Sequence, residues 1–191
     1  VLVDSADWHY RSFNDALQQV AGFTISPEDH ASRFDGLHTL AKIEWLVRHG
    51  KVPPGTADTL VHLKSVSFKE ILREELEPDL IKIAMVQQLK RDFLKVAVVS
   101  NCNRQNAELL LRGIGLLDEI DGLVSSSDVV AGKPSPEGYY KAMLYFGVTP
   151  LETLIFEDSL VGLAAADASH AKYVPVNSVE EVNYTFVARH I

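Results

Sequence analysis

The sequence predicts an α/β protein, a doubly wound parallel sheet with an all-helical segment inserted near its start. Three observations carry this reading. Apolar residues recur at helical spacing up to about residue 90, the period changes near residue 94 to short β-branched runs, and from there strands alternate with helices. A chain of 191 residues with 47% apolar composition is long enough for one good core and a smaller appended subdomain.

The first half reads as helices only. Phe13, Ala16, Leu17 and Val20 fall on one helical face, as do Leu40, Ile43 and Val47, then Ala57, Leu60 and Val61, then Leu80, Ile83 and Ala84. Gly50 closes the second of these helices, and Pro53, Pro54 and Gly55 make the turn after it. Ser67 and Glu70 have the spacing of a capping box and mark the start of a further helical stretch. Trp8 and Trp45 also sit at helical spacing and are expected to pack inside this small bundle.

The second half has strand character. Val96 to Val99 form a β-branched run ended by Ser100 and Asn101, and a helix through Ala107, Leu110 and Leu111 follows. The unit repeats as a strand over residues 120–124 and a helix from Ser135-Pro136 to Gly147. It repeats again as a strand over 153–156 and a helix from about Ser159, and a last strand covers 172–176. Such alternation implies a Rossmann-like parallel sheet with its chemistry at the carboxyl ends of the strands.

Composition excludes several classes of partner. The net charge is -8 and the sequence pI near 5.3, with basic residues scattered singly or in pairs, so nucleic acid is not an expected partner. One cysteine, Cys102, forms no internal disulfide, and with seven scattered His it completes no finger-like metal pattern; a reducing cytoplasm is the expected compartment. No apolar run reaches the ~18 residues that cross a bilayer, so neither an anchor nor a signal peptide is expected.

The polar residues at the strand ends are the candidates for chemistry: Ser100-Asn101-Cys102, Gly132-Lys133-Pro134, and Glu157-Asp158. Two carboxylates about 4 Å apart repel by roughly 4 kcal/mol at an effective dielectric near 20, so a rim that keeps both ionised requires a cation. Oxygen-only ligands point to Mg2+. The Ser100 hydroxyl and helix-start amides suit a phosphate, and Lys133 would neutralise its remaining charge.

In order and spacing this set resembles the haloacid dehalogenase superfamily, in its branch of phosphatases and phosphomutases that includes phosphoglycolate phosphatase and β-phosphoglucomutase. "VAVVSN" is similar to that family's second motif, "VVAGKPSPEGYYKA" to its third and "LIFEDSLVGLAAADASHA" to its fourth. The resemblance implies that Ser100 and Asn101 meet the transferred phosphoryl group, that Lys133 and Ser100 are catalytic, and that Glu157 and Asp158 serve Mg2+. It also implies a helical cap over residues 6–80, with residues 1–5 and 81–191 forming the core. In the cap, "GLHTLAK" resembles the specificity loop, making Gly36, His38, Thr39 and Lys42 candidates for substrate binding, and His9 takes a hinge position often filled by His in members acting on sugar phosphates. Gly162 and Ala164 to Ala166 match the family's small-residue helix, whose structural use is close packing on the sheet.

The family's first motif, D-x-D-G at the end of the central strand, has no counterpart in these residues; Asp4 aligns beyond it. The resemblance therefore places the nucleophilic aspartate and the central strand upstream of Val1, and the 191 residues alone are expected to lack activity. It implies a Mg2+-dependent phosphatase for a small phosphorylated metabolite, a sugar phosphate or similar, acting through an aspartyl phosphate. A phosphomutase is the alternative, disfavoured because Thr39 stands near the position where β-phosphoglucomutase carries an Arg; an inactive phosphate-binding regulatory module is a second. A monomer or weak homodimer is expected.

Overall fold

The computed structural model describes residues 1–34, 37 and 39–191, and Gly36 and His38 lie outside them. The chain divides into two compact units, Asp4–Leu76 and Val1–Val3 with Glu77–Ile191.

The unit Asp4–Leu76 is helical. Helix α1 spans Ala6–Ala21, a short α2 (Pro27–Asp29) runs into a π-helical turn over His30–Phe34, and α3 (Thr39–Arg48) and α4 (Ala57–Glu75) complete it. Phe13, Ala16, Leu17, Ile43, Leu46 and Leu60 are all buried in its core, the apolar stripes of α1, α3 and α4 turned toward one another. Trp45 packs against this core, whereas Trp8 lies only partly buried and donates its indole Nε1–H to Glu75 at 2.8 Å. The break expected at Ser67 does not occur, because α4 is one continuous helix. Ser67 is buried in it, and its hydroxyl donates to Asp15 across the bundle at 2.5 Å, so tertiary contact takes the polar group that capping would otherwise have used.

The other unit alternates strands and helices: α5 (Leu80–Arg91), β1 (Ala97–Val99), α6 (Arg104–Gly113), β2 (Gly122–Val124), α7 (Glu137–Phe146), β3 (Leu154–Glu157), α8 (Leu160–Ala168), β4 (Lys172–Pro175) and α9 (Tyr184–Ala188). The closing α9, capped by the Asn183 side chain on the Phe186 amide, went unpredicted from sequence. All pairing is parallel. Val99 stands beside Val124 in one pair of strands, and Glu157 beside Pro175 in the other. Among the described residues these are two separate two-stranded sheets, β1 with β2 and β3 with β4, in place of one continuous sheet.

Small side chains let α8 lie close on its sheet. Ala165 and Ala166 are fully buried with Ile155, Tyr139 and Met143 in a core that also takes Val99. Filling that contact with longer side chains would force strain of ~1–3 kcal/mol.

Candidate functional site

Strand ends place the site. β1 delivers Ser100 and Asn101, β3 ends on Glu157 with Asp158 next, and the loop before α7 carries Lys133; all belong to the same compact unit. A pocket lined in part by Val99, Ser100, Asn101, Ser125, Lys133 and Tyr139 joins the first and third of these segments.

Glu157 is the most constrained group there. Its side chain is 6% exposed and that of Lys133 11%, and the Lys133 ammonium donates to Glu157 Oε1. The Tyr139 hydroxyl donates to the same oxygen at 2.5 Å, and the Lys133 Nζ lies 5.2 Å from the centre of the Tyr139 ring. Burial, and after it the adjacent Glu157 charge, push the Tyr139 phenol far above its ordinary range, so it stays a donor. On the other side Gly162 presses its backbone on the carboxylate: a Cβ there would stand 2.1 Å from Oε2. Breaking a buried pair of this kind by deleting one partner costs about 3–5 kcal/mol.

Asn101 uses both ends of its amide on the Lys133 backbone. Its Nδ2 donates to the Lys133 carbonyl at 3.0 Å and its Oδ1 accepts the Lys133 N–H at 2.8 Å, so in this arrangement it clamps the Lys133 loop. The fit requires glycine beside it, since a Cβ on Gly132 would lie 2.7 Å from Asn101 Oδ1. Ser100 Oγ accepts the Cys102 N–H at 3.1 Å, which leaves the hydroxyl proton to donate elsewhere. Behind β2, Ser125 and Asp128 form a capping box, and Arg104 binds Asp128 at 2.8 Å. The Ser125 hydroxyl first, then its amide and Arg104, hold Asp128 down to about 2.

Asp158 differs from its neighbour. Its side chain is 42% exposed. Among the described residues no group of three or more His, Cys, Asp or Glu side chains comes together as a metal cage. Mg2+ commonly takes only one or two protein carboxylates and completes its octahedron with water and phosphate oxygens. The donors present fit such an ion: Asp158 offers an accessible carboxylate, and Glu157 stands behind it, engaged by Lys133 and Tyr139.

The remaining candidates lie in the helical unit. His9 stacks on Phe68 with ring centroids 4.5 Å apart and planes 9° apart. Loss of solvent, followed by the charges of Lys64, Lys42 and His30, pulls its pKa down to about 3, so it is neutral. Lys42 is 4% exposed and its Nζ lies 3.4 Å from His30 Nε2; Lys64 donates to Thr39 Oγ1 at 2.8 Å. Half-buried His9 and Thr39 therefore adjoin buried Lys42, Lys64 and His30 in one cationic cluster. Sequence reading missed Lys64, whose only signal is a lysine facing inward on an otherwise apolar helical stripe. It also missed Tyr139, which stands six residues after Lys133, at the first buried turn of α7.

Comparison with known proteins addresses the family and the fold. The match to validoxylamine A 7'-phosphate phosphatase of Streptomyces hygroscopicus subsp. limoneus is 41% identical over 63 residues, 33% of this chain and 30% of that protein, so it spans less than a third of that relative. β-Phosphoglucomutase of Bacillus subtilis (strain 168) is 22% identical over 171 residues, 86% of this chain and 74% of that protein. Among solved structures, β-phosphoglucomutase from Clostridium difficile superposes with a TM-score of 0.82 at 17% identity, covering 99% of this chain and 92% of that one. CbbY from Rhodobacter sphaeroides in complex with phosphate also scores 0.82, at 22% identity and with 96% and 86% covered. These likenesses show the fold, and a family model described as haloacid dehalogenase-like hydrolase matches residues 1–170. By that match over most of its length, the chain belongs to the haloacid dehalogenase-like hydrolase family.

Proposed function

We propose that this chain belongs to a Mg2+-dependent phosphatase for a small phosphorylated metabolite, a sugar phosphate or similar. One observation carries the reading: Lys133, its loop clamped by Asn101, shares a pocket with Ser100 and reaches the Glu157-Asp158 corner in the same unit. In this reading the Ser100 hydroxyl donates to one phosphoryl oxygen and the Lys133 ammonium neutralises another. Asp158 holds the metal, with Glu157 at or near it. Bound Mg2+ would supply further neutralisation of the phosphoryl charge. The nucleophile is an aspartate of the D-x-D-G segment that the family resemblance puts ahead of Val1. Its carboxylate attacks phosphorus in line, the P–O ester bond breaks, the leaving oxygen takes a proton from the second aspartate of that segment, and water, giving a proton to the same residue, then hydrolyses the aspartyl phosphate to inorganic phosphate and the free carboxylate.

The helical unit serves as the cap in this proposal, with His9, Thr39 and Lys42 selecting the substrate's non-reacting end. Curated relatives named as phosphatases support the reaction class.

The test is release of inorganic phosphate from a panel of phosphorylated metabolites, with and without Mg2+, by a chain that carries the D-x-D-G segment. Mg2+-dependent release is expected, and Asp158→Ala should abolish it. Activity near wild type in that variant would refute the metal assignment.

A further inference from the structure

Tyr139 touches both members of the pair at the centre of the site. Its hydroxyl donates to Glu157 Oε1 and its ring lies beneath the Lys133 ammonium. Glu157 is walled in on the far side by Gly162, so it cannot swing away from Lys133 to relieve an unmet charge. An ammonium has three N–H donors and a buried carboxylate needs several. Where Lys133 must satisfy Glu157 alone, its charge is drawn into the wall. Where the phenol shares that duty, the ammonium keeps donors for a ligand in the pocket that Ser100, Lys133 and Tyr139 line.

We propose that Tyr139 is a positioning residue, whose hydroxyl on Glu157 keeps the Lys133 ammonium available to an oxyanion, a phosphoryl group in the reading above, on which this inference rests. Tyr139 acts through Glu157 and has no need to touch substrate. Its effect must therefore depend on the charge of Glu157, which distinguishes positioning from simple packing of an aromatic ring.

The experiment is calorimetric titration of the 191-residue chain with inorganic phosphate in metal-free buffer. Four proteins are compared: wild type, Tyr139→Phe, Glu157→Gln and the double variant, each first shown to melt cooperatively. Tyr139→Phe keeps the ring and removes one hydrogen bond to a charged group, and it should weaken phosphate binding by about tenfold. In the Glu157→Gln background, where no carboxylate pulls on Lys133, the same change should move affinity by less than about twofold. Equal weakening in both backgrounds, or none in wild type, overturns the proposal. Absence of phosphate binding by wild type overturns the proposal, and absence that persists when Mg2+ is added overturns the phosphatase reading with it. Phosphate bound with normal affinity by Tyr139→Phe leaves that reading standing and removes only the role of Tyr139.

Discussion

At the scale of single residues, the site is set by close approaches that adjacency in sequence does not reveal. Glu157 and Asp158 are neighbours with opposite surroundings, one enclosed by Lys133, Tyr139 and Gly162, the other open to solvent. Gly162→Ala would push a methyl group into a carboxylate that has nowhere to go. It should lower stability by about 1–3 kcal/mol in urea titration and weaken phosphate binding with it. A variant as stable as wild type would show that Glu157 moves aside freely. His9 makes a different prediction. Its folded pKa lies near 3 against 6.5 unfolded, so between those values the unfolded chain binds a proton that the folded chain refuses. Stability must then fall as pH falls from 6.5 toward 3, by about 1 kcal/mol between about pH 7 and pH 5.5. His9→Phe, which keeps a ring on Phe68, should flatten that slope in urea titrations followed by tryptophan fluorescence. An unchanged slope would assign the dependence to other groups.

At the scale of elements, the period of the apolar residues located the long helices, and the β-branched runs located the strands to within a residue or two. Capping was read less well, for a physical reason. Ser67 carries the residue type and spacing of a helix start, yet it lies where α4 crosses α1, and a long-range bond to Asp15 outweighs the local one. The end of α5 shows the reverse, a termination without the residue that favours it. Phe93 follows the helix in the left-handed region at φ 62°, its side chain 95% exposed, while the Leu94 amide closes onto the Leu89 carbonyl. A non-glycine residue there bears roughly 1–2 kcal/mol of strain. Phe93→Gly should therefore raise stability by about 0.5–1 kcal/mol after the added freedom of the unfolded chain is counted. A lower urea midpoint would mean that the exposed ring makes contacts that matter to folding.

At the scale of the whole molecule, two of the hydrophobic clusters among the described residues, one in each unit, have no residue in common. Phe13, Leu17, Ile43 and Leu60 build one, and Tyr139, Ile155, Ala165 and Ala166 the other. Both tryptophans of the chain, Trp8 and Trp45, belong to the helical unit, so tryptophan fluorescence reports on that unit while far-ultraviolet circular dichroism reports on both. The two signals should give non-coincident urea transitions. A single shared midpoint would show that the units unfold as one. No helix among the described residues is long and apolar enough to cross a membrane.

Fold class and the candidates at the strand ends are legible without coordinates. Periodicity and turn chemistry are local properties, and a polar residue directly after an apolar run is visible without coordinates. What those candidates do to one another follows from packing in three dimensions. Asn101 grips the Lys133 backbone instead of standing open, Lys133 reaches Glu157, and Tyr139 joins them, each through contacts between segments 18 to 32 residues apart. Packing also brought half-buried His9 beside buried Lys42 and Lys64 in one cluster. Hydrogen bonds and charge interactions act through space over a few ångströms, and which groups come that close is settled by packing of helices on strands, which no single stretch of sequence contains.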